Sequence, residues 1–73
     1  MTGYPSPAVI KRLKGMYPSG TKIALDWMDD PNAPPVGAVG TVFCVDDIGT
    51  VHVKWDNGSC LGLVHGEDMF HRI

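Results

Sequence analysis

Two aspartate pairs, three histidines, two cysteines, two tryptophans and one short basic run are the groups with chemistry to offer in this chain. Asp29–Asp30 and Asp46–Asp47 could coordinate a hard cation or share acid–base work. Both pairs sit in turn-forming contexts, Asp-Asp-Pro and Asp-Asp-Ile-Gly. There an Asp side chain accepts from nearby backbone amides, and that reading is the stronger. His52, His65 and His71, with Cys60, Glu67 or Asp68, are zinc-type ligands, but no CxxC or HxxxH spacing joins them. A cysteine nucleophile with His52 or His65 lacks an orienting third group. Strand cysteines are most often buried and inert, so Cys44 and Cys60 are expected to be reduced, buried small side chains. No catalytic residue, metal ligand or cofactor is assigned.

Binding chemistry is better represented. Lys11, Arg12 and Lys14 form a basic cluster that could hold a small anion. A solvated helix face is the plainer explanation of the same run. Trp27 borders a proline-rich stretch and could stack on a base; Trp55 beside a tight hairpin is expected to pack in the core. Tyr17, Met28, Asp29 and Asp30 lie at the same edges and complete the candidate ligand-binding set with Lys11, Arg12, Lys14 and Trp27.

The elements that must position these groups are short. Ser6-Pro7 starts a helix, with Val9, Leu13 and Met16 or Tyr17 as its apolar stripe and Gly15 as the expected C-cap. Tyr17-Pro18-Ser19-Gly20 turns the chain into a strand over 21–28. Alternation there puts Ile23, Leu25 and Trp27 on one face and Lys22, Ala24 and Asp26 on the other. Pro31, Pro34 and Pro35 make 29–37 a loop of the kind that carries binding surfaces. A second strand over 39–45 is apolar on both faces and is expected to be central. A third, 50–55, alternates cleanly, with Val51, Val53 and Trp55 inward and His52 and Lys54 outward. Asp56-Asn57-Gly58 is a hairpin turn leading to a fourth strand over 59–64, and 69–73 is a short fifth. A helix and five short strands imply a mainly β fold, a small five-stranded barrel, because closure removes exposed edges. The expected division is a lead-in and helix over 1–16 and the barrel over 17–73, one domain in all.

A chain of 73 residues buries only about 60% of its unfolded surface and is marginal alone. The apolar helix stripe also needs a docking surface. Both points predict a homo-oligomer. Hydrophobic content of 44% and a net charge of −2 are globular values. With six Lys and Arg in total, duplex nucleic acid is not the expected partner. No apolar run of membrane-spanning length and no signal-peptide core occurs, so the expected location is cytoplasmic, without membrane association.

The segments YPSGTKIAL, MDDPNAPPVGAVGTV, VDDIGTVHVKWDNG and LGLVHGEDMF, in this order, resemble an uncharacterised family of short bacterial and phage domains. The resemblance covers about Tyr17 to Ile73 and implies an SH3-like barrel. It is looser towards KOW and Mib/Herc2 barrels. Val36-Gly37-Ala38 stands where a Pro-Gly-Thr type turn is usual, which bears on loop geometry. The resemblance implies no reaction. It implies a phage or mobile-element setting, in which short proteins act by binding host components. Phage sponge proteins, which sequester nucleotide immune signals in an anti-defence role, are one such class. The expectation is therefore a noncatalytic binding protein that sequesters a host factor, most concretely a nucleotide-type small molecule. The alternative is a protein- or nucleic-acid-interaction module of SH3-like type.

Overall fold

The computed structural model describes residues 5–73; residues 1–4 of the expected lead-in lie outside the described residues. Helix α1 (Pro7–Met16) is followed by β1 (Lys22–Trp27), β2 (Val39–Val45), β3 (Thr50–Trp55), β4 (Cys60–Val64) and β5 (Met69–Arg72). All pairings are antiparallel in one sheet of order β4-β3-β2-β1-β5. The mainly β, five-stranded architecture with a short N-terminal helix is thus as expected, and β2 is the central strand. The closure is not as expected. Among the described residues no hydrogen-bonded pairing joins β4 to β5, so the barrel stays open and both remain edge strands.

Ser6 caps α1 by accepting from the Val9 amide (3.3 Å), with Pro7 at the first helical position. The helix runs through Gly15, contrary to the expected C-cap. It ends at Tyr17, whose N–H donates to the Leu13 carbonyl (2.9 Å). Leu13 is buried, and Tyr17 rather than the exposed Met16 continues the inner stripe.

The core is Ile23, Leu25, Val42, Val51, Val53, Trp55 and Leu63, all almost fully removed from solvent. Trp55 is 1% exposed and donates its indole N–H to the Leu61 carbonyl (3.2 Å), so the polar edge of a buried ring is satisfied. Gly40 sits opposite Trp55 in the β2–β3 ladder. A Cβ there would lie 2.9 Å from Trp55 Cε3 and 3.2 Å from the Lys54 carbonyl, and nearer still to Val53 Cγ1. The central strand therefore lacks a side chain where the largest core residue lies.

Two bulges change which side chains face outward. The β1–β5 register shifts between Leu25 and Trp27, and Trp27, now opposite Met69, is 49% exposed. The expected Ile23–Leu25–Trp27 face therefore loses its third member, because the extra residue breaks the alternation. The β2–β3 register shifts between Val42 and Cys44, so Cys44, two after the buried Val42, falls opposite the outward His52; Phe43 between them is also exposed, its ring 5.8 Å from that of His52. Cys44 and Cys60 are free thiols and both are exposed, so the expected burial does not hold. Each lies opposite an outward-facing partner, His52 and Lys54.

Candidate functional site

The β2–β3 turn is the anchor of the site. Asp46 Oδ1 accepts from the amides of Ile48 (3.1 Å) and Thr50 (2.8 Å), while Oδ2 bonds His52 Nε2 (2.8 Å). One carboxylate therefore holds both the turn and an outward side chain of β3. The His52 hydrogen bond, helped by the Thr50 and Ile48 amides, keeps the Asp46 carboxyl below its ordinary range, although desolvation opposes this. A lowered folded-state pKa contributes stability above the unfolded value, near 3.9, which is lost as pH falls through the folded value. Asp46→Ala is expected to cost about 1–2 kcal/mol by chemical denaturation and to flatten the decline of stability below about pH 4. Asp46→Asn, which keeps an acceptor for the two amides, is expected to cost less. Equal losses in both variants would show that the turn bonds contribute little.

The turn carries α1. Gly49 has φ +87°, and a Cβ there would lie 2.9 Å from Pro5 Cγ and 3.6 Å from Ile10 Cγ1. The start of the helix thus rests directly on a backbone position that only glycine occupies without strain. Lys14 Nζ meets Asp47 Oδ1 at 2.7 Å. At its other end α1 is held by the Tyr17–Phe70 ring contact (5.2 Å) and by Arg72, which donates to the Met16 carbonyl (3.2 Å).

Between α1 and the turn lies an open groove of about 360 Å³, lined by Pro7, Ile10, Lys11, Lys14 and Asp47. Pro7, Lys11 and Lys14 fall on one helix face because they recur at i, i+4 and i+7. Arg12 does not join them. At about 100° per residue it lies some 140° round the axis from Pro7, exposed and outside the groove.

The other expected site residues lie elsewhere. Ala24 pairs with Val39, so Trp27 lies beyond the start of β2, whereas the 46–49 turn follows its end. The seven residues of β2 separate the two by roughly 20 Å. Trp27, Met28, Asp29 and Asp30 therefore belong to the opposite end of the sheet from Lys11 and Lys14. Tyr17 and Met28 are partly buried and pack on the core. Asp30 forms a turn, accepting from the Asn32 amide (2.7 Å). Of the eight expected ligand-binding residues, Lys11 and Lys14 share one cavity.

Asp47, Pro7 and Ile10 line the groove without belonging to the expected ligand-binding set; for Asp47 the stronger expectation is a turn role. Two imidazole–carboxylate pairs were also not foreseen: His52–Asp46, and His71–Asp26 (2.9 Å), in which β1–β5 pairing joins positions 45 apart. Among the described residues no three His, Cys, Asp or Glu side chains are grouped to hold a metal ion. No helix among them is long and apolar enough to cross a membrane.

Fold and groove together define a small single-sheet β domain with a helix fastened across it and two lysines over a shallow cavity. The chain belongs to the DUF4314 family, a domain of unknown function, whose family model matches residues 6–73. No curated protein and no solved structure matches it significantly.

Proposed function

We propose that this domain works by binding and that the α1 groove takes a small anionic ligand of nucleotide type, held rather than converted. The observation that carries this reading is the placement of Lys11 and Lys14, one helical turn apart, over a cavity whose apolar wall is Pro7 and Ile10. Two ammonium groups suit phosphate oxygens, and the apolar wall suits a ring or sugar face. Far fewer cations are needed than for a duplex. In the phage or mobile-element setting implied by the resemblance, such binding would sequester a host nucleotide signal.

Native mass spectrometry of the protein with a nucleotide panel tests this and reads self-association in the same spectra. The expected result is retention of one nucleotide class, weakened about ten- to a hundredfold in Lys11→Glu/Lys14→Glu, as for loss of charged hydrogen bonds. Retention of no nucleotide, or equal retention by the double variant, would overturn it. A protein partner is the second reading, favoured by Trp27 and Met69, exposed cross-strand neighbours on the open β5 edge.

A further inference from the structure

The two edges of the sheet differ in what they leave open. In the β3–β4 hairpin the Trp55 N–H donates to the Ser59 carbonyl (2.8 Å), so these two form a hydrogen-bonded pair. Bonded and non-bonded pairs alternate along an antiparallel ladder. Leu61 and Leu63, opposite Val53 and Val51, therefore bond to β3, while Cys60, Gly62 and Val64 turn their backbone groups off the edge. Val64 is already occupied. Its N–H donates to Asp68 Oδ2 (2.8 Å), and its carbonyl accepts from the amides of Glu67 (3.1 Å) and Asp68 (3.0 Å). Cys60 and Gly62 have no such partner among the described residues. Charged side chains and prolines are the usual protections of an exposed edge. β4 is Cys-Leu-Gly-Leu-Val and carries neither, whereas β5 carries His71 and Arg72.

We propose that the β4 edge pairs with the β4 edge of a second copy, antiparallel about a two-fold axis at Leu61. The inference is independent of the nucleotide-type reading. This register uses all the open groups: Cys60 of each copy faces Gly62 of the other, and each pair exchanges both of its bonds. A pairing centred on Gly62 would call on Val64, whose groups Asp68 and Glu67 hold. One centred on Cys60 would call on Gly58, which lies in the hairpin turn at φ +94°. Two features select a second copy over a foreign strand. The open groups are self-complementary, as a two-fold contact requires, and no ionised side chain of β4 meets its own copy there. Leu61, only partly buried on the core, gains Leu61 of the second copy as a neighbour, which adds apolar cover to a small domain.

Sedimentation under reducing conditions, from roughly 10 to 500 μM, compares wild type with Cys60→Pro. Proline deletes an edge donor and spares the β3 ladder, to which the Cys60 N–H does not belong; the first residue of an edge strand tolerates it. Wild type is expected to dimerise, and the variant to do so about ten- to a hundredfold more weakly, with its unfolding midpoint at low concentration unchanged. Cross-linking reads the register without that variant. In a Cys44→Ser/Cys60→Ser background, Leu61→Cys is expected to oxidise to a disulfide-linked dimer, since directly opposed non-bonded positions have Cα atoms about 4.5 Å apart. Val64→Cys in the same background is expected not to, because the two copies of that position lie roughly 20 Å apart along the ladder. A strict monomer throughout the range would overturn the proposal and leave the edge to a foreign strand. A dimer unaffected by Cys60→Pro, or one linked as readily through Val64→Cys as through Leu61→Cys, would place the contact elsewhere and overturn it too.

Discussion

Trp55→Ala is expected to lower the thermal unfolding midpoint of the domain by about 12–40 °C. Among the described residues Trp55 is the largest fully buried side chain and shares a core cluster with six other fully buried residues. Truncating such a ring costs about 3–5 kcal/mol, from lost transfer energy and from the cavity left behind. At about 0.05–0.15 kcal/mol per residue, a domain of 73 residues holds roughly 4–11 kcal/mol in total. The loss is therefore a large fraction of the whole stability. Trp27→Ala is the matched control, because the same truncation at a half-exposed ring removes little buried surface. Thermal unfolding followed by circular dichroism separates the two. A Trp55→Ala midpoint within a few degrees of wild type would show that the core relaxes around the vacancy or that Trp55 is not its centre.

Gly40→Ala is the second large effect, and it acts by overfilling. The added methyl would press on Val53 Cγ1, Trp55 Cε3 and the Lys54 carbonyl. The last is backbone, and both side chains are buried, so none can swing into solvent. Overpacking of this kind costs typically 1–3 kcal/mol, and three simultaneous contacts argue for about 3. The mechanism has a distinctive signature. Val53→Ala alone is destabilising, yet combined with Gly40→Ala it is expected to cost less than the sum, because each change relieves the other. Strict additivity in urea unfolding would rule out the steric account.

Legibility in the sequence followed the regularity of each segment. β3 was readable to the residue, since Val51, Val53 and Trp55 alternate with polar positions and turns flank both ends. β2 was readable as central from its two apolar faces. The outward turns of Trp27 and Cys44 were not, because one inserted residue in a ladder reverses the later side chains and leaves no mark in composition. The open edge between β4 and β5 was equally hidden, since alternation fixes faces but not how far a sheet curls. Of the site, the shared face of Lys11 and Lys14 follows from helical spacing. Asp47 reaches it only because the β2–β3 turn, 33 positions on, passes beneath α1. Trp27 is a candidate because it borders the proline-rich loop, and strand direction carries that loop to the opposite end of the sheet from Lys11 and Lys14.

The β1–β5 pairing bears on the order in which the molecule assembles. β2, β3 and β4 follow one another through the tight turns 46–49 and 56–59, so they can zip together from neighbouring chain. β1 lies between β2 and β5, and Asp26 finds His71 across 45 positions. That closure carries the larger entropic penalty and belongs late on the folding route. α1 is later still in one respect. Its C-terminal hold, Arg72 on the Met16 carbonyl, cannot exist until β5 is in place. The helix that forms the groove is therefore locked only by the last strand to arrive, and a chain that has yet to pair β5 has a nearly complete core but an unfinished cavity.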